Sequence, residues 1–279
     1  MRQKAAVDAY ASVNKAASEM ARQTRVVSHA STKRLLRVGG LPAVSALFAV
    51  SPERVEQLFF DQRTKPHVGA FCTKLARMRK PYRLIGANEL GRVAGTMLHG
   101  GVVALAQPRP VPPLDPVMVK EWADDGRLLL LLDGVGNPHN LGAIARTAAF
   151  FGVPRIVLSD HPAQAGPSDA SYRVAEGGLE YVELYRGLRF AQMLHDLRAC
   201  YRVVGAATDK GQSLSALRPG KRPFALILGN EQRGVLRATL EACDEIVTIP
   251  GSGLVQSLNV AATAAILLHA LAAGHRSST

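Results

Sequence analysis

Three short stretches of the chain combine glycine with side chains that could bind or polarise a ligand. The first, DGVGNPHNLGAIARTAAFFGV from Asp133 to Val153, carries Asn140 and Arg146. The second, LILGNEQRGV (226–235), carries Gly229, Asn230 and Glu231. The third, IPGSGLVQSLNV (249–260), carries Ile249, Ser257, Leu258 and Asn259. Glycine lets a ligand approach the backbone closely, and an amide or carboxylate at a strand's end offers contacts that a turn alone does not need. Each residue also has an ordinary reading. Arg146 suits a solvent-facing helix position, and Glu231 suits the positive end of a helix dipole. Asn140, Ser257 and Asn259 are good N-caps, and His139 reads as a plain loop histidine.

Several chemistries are excluded by spacing. Gly134-Val-Gly136 after a strand invites a dinucleotide site, but the third glycine of G-x-G-x-x-G falls on His139. In the third stretch that slot holds Gln256. A nicotinamide dehydrogenase is therefore disfavoured. None of the eight histidines pairs with Cys, Asp or Glu at metal-ligand spacing, and no G-x-x-x-x-G-K-[ST] occurs. No metal site and no P-loop phosphoryl transfer are expected.

The elements that must hold these stretches alternate between strand-like and helix-like runs. LLLLLD (128–133), RIVLSD (155–160), YVELY (181–185), RVVGAAT (202–208), FALILG (224–229) and EIVTIP (245–250) read as strands. Helical patterns fall at 141–151, 190–200 and 235–243, and from about Val260 onward. Short continuous apolar strands between helices predict a mostly parallel sheet covered on both faces. Ligands of such sheets bind beyond the carboxyl ends of strands, which is where the three stretches lie, so one shared site is expected. On the first helix Leu141, Ile144, Ala145, Ala148 and Phe151 form an apolar stripe, with Asn140 as N-cap and Gly152 at C′. Arg146 lies about 100° or more from the centre of that stripe. No internal repeat is visible.

The chain has 279 residues, 47% hydrophobic and 20% charged, enough for two domains with real cores. No run reaches the ~18 apolar residues of a membrane span, and the N-terminus has no apolar secretory core. Cys72, Cys200 and Cys243 are too scattered for a disulfide framework, so a cytoplasmic location is expected. The net charge of +12 is unevenly spread. Residues 1–118 hold 18 Lys/Arg against 7 Asp/Glu, whereas 119–279 hold 16 against 15. Arg63, Lys65, Lys74, Arg77, Arg79, Lys80 and Arg83 fall in one stretch without an acid, with Phe71 and Tyr82 among them. Such a field suits a polyphosphate partner, RNA above all; a solvated basic face or an anionic lipid surface would look alike.

Composition also divides the chain. Residues 1–30 read as a basic extension, either mobile or helical on RNA. LPAVSALFAV (41–50) and PERVEQLFFD (52–61) are apolar-periodic, the second with Ser51 as N-cap and Pro52 at the first helical position. YRLIG and GGVVALA (100–106) read as strands. QPRPVPPLDP (107–116) holds five prolines and is expected to be a stiff linker without helix or ladder. The predicted division is an extension at 1–30, a basic domain suited to RNA at 31–106, a linker at 107–118 and an α/β domain carrying the three stretches at 119–279.

Taken together, NPHNLGAIARTAAFFG, LGNEQRG and IPGSGLVQSLNVAA resemble the three signature motifs of the SpoU/TrmH branch of the SPOUT-class RNA ribose 2′-O-methyltransferases. Their order and spacing match. VGGLPAV and LHGGVVALA are similar, less sharply, to the L30e-like RNA-binding domain that precedes the catalytic domain in many members. The resemblance implies an α/β fold with a SPOUT-type parallel sheet and a C-terminal trefoil knot, preceded by a smaller L30e-like α/β domain. It also implies S-adenosyl-L-methionine as cofactor, a homodimer, and methyl transfer to a ribose hydroxyl of rRNA or tRNA. By motif position Asn140, Arg146, Glu231, Ser257 and Asn259 would be the catalytic set. Gly229, Asn230, Ile249 and Leu258 would contact the cofactor, chiefly through backbone groups. A guanidinium stays protonated up to a pKa above about 12, so Arg146 is better suited to steadying an alkoxide and gripping a phosphate than to removing a proton. Gln232, Gly251 and Gln256 depart from the family pattern beside the site. They motivate the alternative of a catalytically weak or inactive RNA-binding or assembly protein on the same fold.

Overall fold

The computed structural model describes residues 34–208, 211–218 and 220–272; the extension expected at 1–30 lies outside them. The first elements are β1 (Leu36–Gly39), α1 (Leu41–Val50), β2 (Val55–Phe60), α2 (Gly69–Arg77), β3 (Tyr82–Leu84), α3 (Ala87–Ala94) and β4 (Val102–Ala106). Their strands form a sheet in the order β1-β4-β2-β3, with β4 antiparallel to both neighbours and β2 parallel to β3. The helix expected over 52–61 is not there. Ser51 and Pro52 begin only a 3-10 turn, Pro52–Arg54, and β2 follows at once. Val55, Leu58 and Phe60 feed one buried cluster and Phe59 another. β-branched and aromatic residues pack well on both faces of a pleated strand, and that packing overrides the helical start signal.

The larger part of the chain forms α4 (Pro116–Asp124), β5 (Leu129–Asp133), α5 (Pro138–Phe151), β6 (Arg155–Ser159), α6 (Asp169–Ala175), α7 (Gly178–Tyr181) and β7 (Glu183–Gly187). It continues with α8 (Phe190–Leu197), β8 (Arg202–Ala206), β9 (Gln212–Ser213), β10 (Phe224–Gly229), α9 (Arg237–Glu241), β11 (Glu245–Thr248) and α10 (Val260–Ala272). The strands make an all-parallel sheet in the order β7-β6-β5-β10-β8-β11-β9. Its central strands read as unbroken apolar runs because both faces are buried. Leu130 and Leu132 of β5 point into one core, Leu129 and Leu131 into the other.

The proline-rich stretch is neither free nor wholly without structure. Arg186 of β7 donates its backbone N–H to Pro112 O at 2.8 Å, and Leu114 N donates to Arg186 O at 2.9 Å. Proline is tolerated beside a sheet's edge, where one side needs no donor. Arg109 caps the contact, its Nη1 reaching the carbonyls of Leu179, Glu180 and Val182 at 3.0–3.4 Å. The last three residues of the expected linker belong to α4, which starts at Pro116 behind the Asp115 N-cap.

The two sheets share one apolar cluster, which runs from Val38, Leu47 and Leu58 to Leu130, Ile144 and Leu226. A buried ion pair ties the same junction. Arg54 Nη1 lies 2.9 and 2.7 Å from the two carboxylate oxygens of Glu180, whose side chain is 0% exposed. Arg54 Nη2 also reaches the Tyr172 hydroxyl at 3.3 Å.

Candidate active site

All strands of the large sheet run the same way, so the loops after β5, β10 and β11 open at one edge. β5 and β10 are neighbours, with Gly229 opposite Asp133. The loop after β5 turns into α5, whose N-cap is Asn137 and not Asn140. The Asn137 side chain accepts from His139 N at 2.9 Å, and Pro138 takes the first helical position. That moves Asn140 and His139 inside the first turn of the helix. Gly152 ends the helix with a left-handed backbone, as expected.

Released from capping, Asn140 is buried and joins two distant parts of the chain. Its Nδ2 donates to Glu231 Oε1 at 2.8 Å, and its Oδ1 accepts from Asn259 Nδ2 at 3.2 Å. Glu231 also accepts the backbone N–H groups of Gly136 and Asn137, both at 3.3 Å. Burial pushes the Glu231 carboxyl up, but hydrogen bonds from Asn140 and the loop amides outweigh it and leave its pKa below the usual glutamate value. Asn259 further holds the start of α10 by accepting from Ala261 N at 2.8 Å. One carboxylate and two amides thus fasten all three loops together.

Asn230 spends its side chain on the scaffold. Its Nδ2 donates to Gly134 O at 2.8 Å, while Oδ1 accepts from Gln232 N and Arg233 N. The turn uses only the backbone of Gln232, so that departure leaves its geometry intact. Gly229 has no room for a side chain, since a Cβ would sit 2.2 Å from Gly234 C and from Val235 N.

The third loop is built differently. Ile249 is half-buried against the large core, but Leu258 is exposed and Ser257 has no hydrogen bond among the described residues. A Cβ on Gly251 would meet nothing within 4 Å. At the end of β11 the Thr248 Oγ1 is enclosed yet has no hydrogen-bond partner. Such a group suits a ligand's polar atom; nothing in its sequence context marks it out.

Arg146 stands apart from the network. It lies six residues beyond Asn140, about 9 Å along the axis and about 120° around it, so the two side chains leave different sides of α5. Its guanidinium is half exposed and pairs with Glu176, Nη2 to Oε2 at 3.0 Å. Phe150, one turn further on the same face, is 78% exposed. Leu254, Val255 and Leu258 of the third loop and Ile266 of α10 are exposed as well, and α10 packs on α5.

The basic stretch divides into engaged and unengaged residues. Lys74 Nζ donates to Phe48 O, Lys80 Nζ to Glu53 O and Glu56, and Arg63 pairs with Asp61. Arg83 lies 3.9 Å from Glu89. Lys65, Arg77 and Arg79 are exposed and have no ion pair among the described residues. Phe71 stacks on Phe48 with ring centroids 4.4 Å apart, so it serves the core and not a base; Tyr82 is exposed. No group of three metal-ligating side chains occurs among the described residues.

Comparison with known proteins identifies the family. Residues 127–269 match the SpoU rRNA Methylase family, and residues 37–112 match the domain described as RNA 2'-O ribose methyltransferase substrate binding. The chain is 34% identical over 249 residues to the 23S rRNA (guanosine-2'-O-)-methyltransferase RlmB of Acinetobacter baylyi, covering 82% of this chain and 94% of that one. It is 34% identical to the uncharacterized tRNA/rRNA methyltransferase YfiF of Escherichia coli O157:H7, but spans only 66% of YfiF's length. The AdoMet-bound rRNA methyltransferase of Sinorhizobium meliloti shares the fold, with a TM-score of 0.73 at 22% identity over 90% of this chain and 91% of that one.

Proposed function

The chain belongs to the SpoU rRNA methylase family, and from that premise we propose that it methylates a ribose 2′-hydroxyl of ribosomal RNA with S-adenosylmethionine as donor. The network of Glu231, Asn140 and Asn259 at the carboxyl edge of the parallel sheet carries this reading, because it joins one residue from each of the three motifs. The relatives named RlmB act on guanosine of 23S rRNA, and that is the substrate class proposed here.

The residues at that edge fit S-adenosylmethionine. Gly229, Ile249 and Leu258 would hold it through backbone groups, the third loop is open at Gly251, and the orphan Thr248 hydroxyl is available to one of its polar atoms. When bound, it supplies a methyl group on a positively charged sulfur. The chain's own task is to align and polarise a weakly acidic hydroxyl. Alignment of two bound reactants is worth on the order of 7–11 kcal/mol. Glu231 fixes the loop amides, Asn140 and Asn259 hold the walls, and Ser257 offers its hydroxyl to the ribose. Arg146 steadies the developing alkoxide and grips the neighbouring phosphate, while the hydroxyl proton passes to water as the oxygen takes the methyl group and the sulfur keeps the electron pair of the broken bond.

Because Asn140 and Arg146 leave different sides of α5, the reading includes a homodimer in which Arg146 serves the partner's loops. Phe150, exposed on the same face of α5, supports that arrangement, as do the exposed Leu254 and Val255 of the third loop and Ile266 of α10. The trefoil knot of the SPOUT class belongs to the same reading, supported by β10 and β11 being separated by the earlier strand β8. RNA affinity is assigned chiefly to residues 31–106, with Lys65, Arg77 and Arg79 as its unpaired cations.

Tritium transfer from S-adenosylmethionine to 23S rRNA tests the reaction. The parent protein labels the RNA, and Arg146→Ala lowers the rate by at least about 10²-fold; equal labelling overturns the assignment. For the RNA surface, replacing Lys65, Arg77 and Arg79 with alanine lowers the slope of log affinity against log salt by about 2, at about 0.7 per phosphate contact. An unchanged slope moves the RNA surface elsewhere.

A further inference from the structure

We propose that Glu176 is a positioning residue that sets the guanidinium of Arg146 for the methyl-transfer step. The inference rests on Arg146 acting at the reacting ribose. Its evidence is a five-residue segment, 176–180, that the sequence motifs do not include.

Glu176 follows α6 in a left-handed conformation, φ 45° and ψ 41°. A non-glycine residue there is strained and persists only where its surroundings impose it. Those surroundings are specific. Gly177, at φ +98°, lies so near α1 that a Cβ would sit 2.7 Å from Ala46 Cβ and 3.1 Å from Pro42 O. Gly178 lies so near α5 that a Cβ would sit 2.6 Å from Arg146 Cα and 2.9 Å from Arg146 N. Two residues later Glu180 is locked to Arg54. The segment is therefore clamped on both sides, and the backbone under Arg146 is part of the clamp. From this fixed base the Glu176 carboxylate meets Arg146 Nη2 at 3.0 Å.

The pair contributes little to folding, since both side chains are about half exposed and such pairs are weak in water. Its effect is on geometry. An arginine side chain has a large freedom of rotamers, and its planar fork binds a phosphate or alkoxide well only when correctly aimed. Glu176 takes the Nη2 end and leaves the Nε and Nη1 donors for an RNA oxygen. The glutamate thus restricts the guanidinium before substrate arrives, and its negative charge keeps the cation in place without occupying the whole fork.

The test uses the full-length protein and separates activity from folding. Glu176→Gln removes the charge but keeps the shape; kcat for methyl transfer is expected to fall about tenfold, with S-adenosylmethionine affinity by calorimetry and melting temperature unchanged. Glu176→Gly relieves the backbone strain, so it should melt at the same temperature or higher while losing activity equally. In an Arg146→Ala background, Glu176→Gln should have no further effect. A Glu176→Gln protein with parental or raised kcat overturns the inference, as does an undiminished loss in the Arg146→Ala background. If Arg146→Ala itself retains full activity, the assignment of Arg146 fails instead, and the two failures are distinguished.

Discussion

The loops after β5 and β10 and the loop after β11 border the same sheet edge but are built on opposite plans. The first two are tied internally: Glu231 accepts three N–H donors and Asn230 bonds across to Gly134. The third is fastened at its end by Asn259 and internally by Leu254 N donating to the Ser252 hydroxyl, while Leu254, Val255 and Leu258 face outward. Hydrogen-bonded loops present fixed groups, and open ones can shape themselves to what they bind. On the proposed reading, the rigid pair sets the geometry of the reaction, and the third loop is the part that can adapt to donor, sugar and a second subunit.

Substitutions can break that contrast. Among the loop residues the largest effect is expected at Glu231. Glu231→Gln places an amide against three donors and should lower methyl transfer on the order of 100-fold. It also carries a pH signature. The folded carboxyl has a depressed pKa, so its contribution to stability is present above the ordinary glutamate range and is lost as pH falls through the folded value. Melting temperature measured against pH should drop there for the parent, and Glu231→Gln should lack that part of the drop. Asn140→Ala comes next, since it removes one partner from both Glu231 and Asn259; a stability loss of about 1–3 kcal/mol by denaturant titration is expected, with activity reduced as well. Ser257→Ala is the smallest perturbation to the fold, under about 0.5 kcal/mol, but should still lower kcat about tenfold. A Ser257→Ala that destabilises as much as Asn140→Ala would erase the distinction between the loops.

Much of this was legible from residue order. The parallel sheet followed from apolar strands buried on both faces, and the three motifs lie in loops that meet at one edge. What was misread was local competition. Asn137-Pro138 carries a good cap followed by a helix-starting proline, and it displaced Asn140 from the cap into the hub. Ser51-Pro52 started only a turn, because the partner strand β4 lies far along the chain. The contacts that matter most had no local signal at all. Asn140 and Glu231 are 91 residues apart, Asn140 and Asn259 are 119 apart, and Arg54 and Glu180 are 126 apart. Glu176 belongs to none of the motifs, and only the close approach of Gly177 and Gly178 to their neighbours reveals why it is held.

The junction at Glu180 decides how this gene can be cut. A fragment starting after the prolines would keep the carboxylate but lose its cation, the three carbonyls would lose Arg109, and part of the shared apolar cluster would open to water. Stranding one charge of a buried pair costs about 3–5 kcal/mol, a large fraction of what holds a typical domain folded. The two halves therefore stabilise each other, and a fragment without the first is expected to melt lower unless something replaces Arg54.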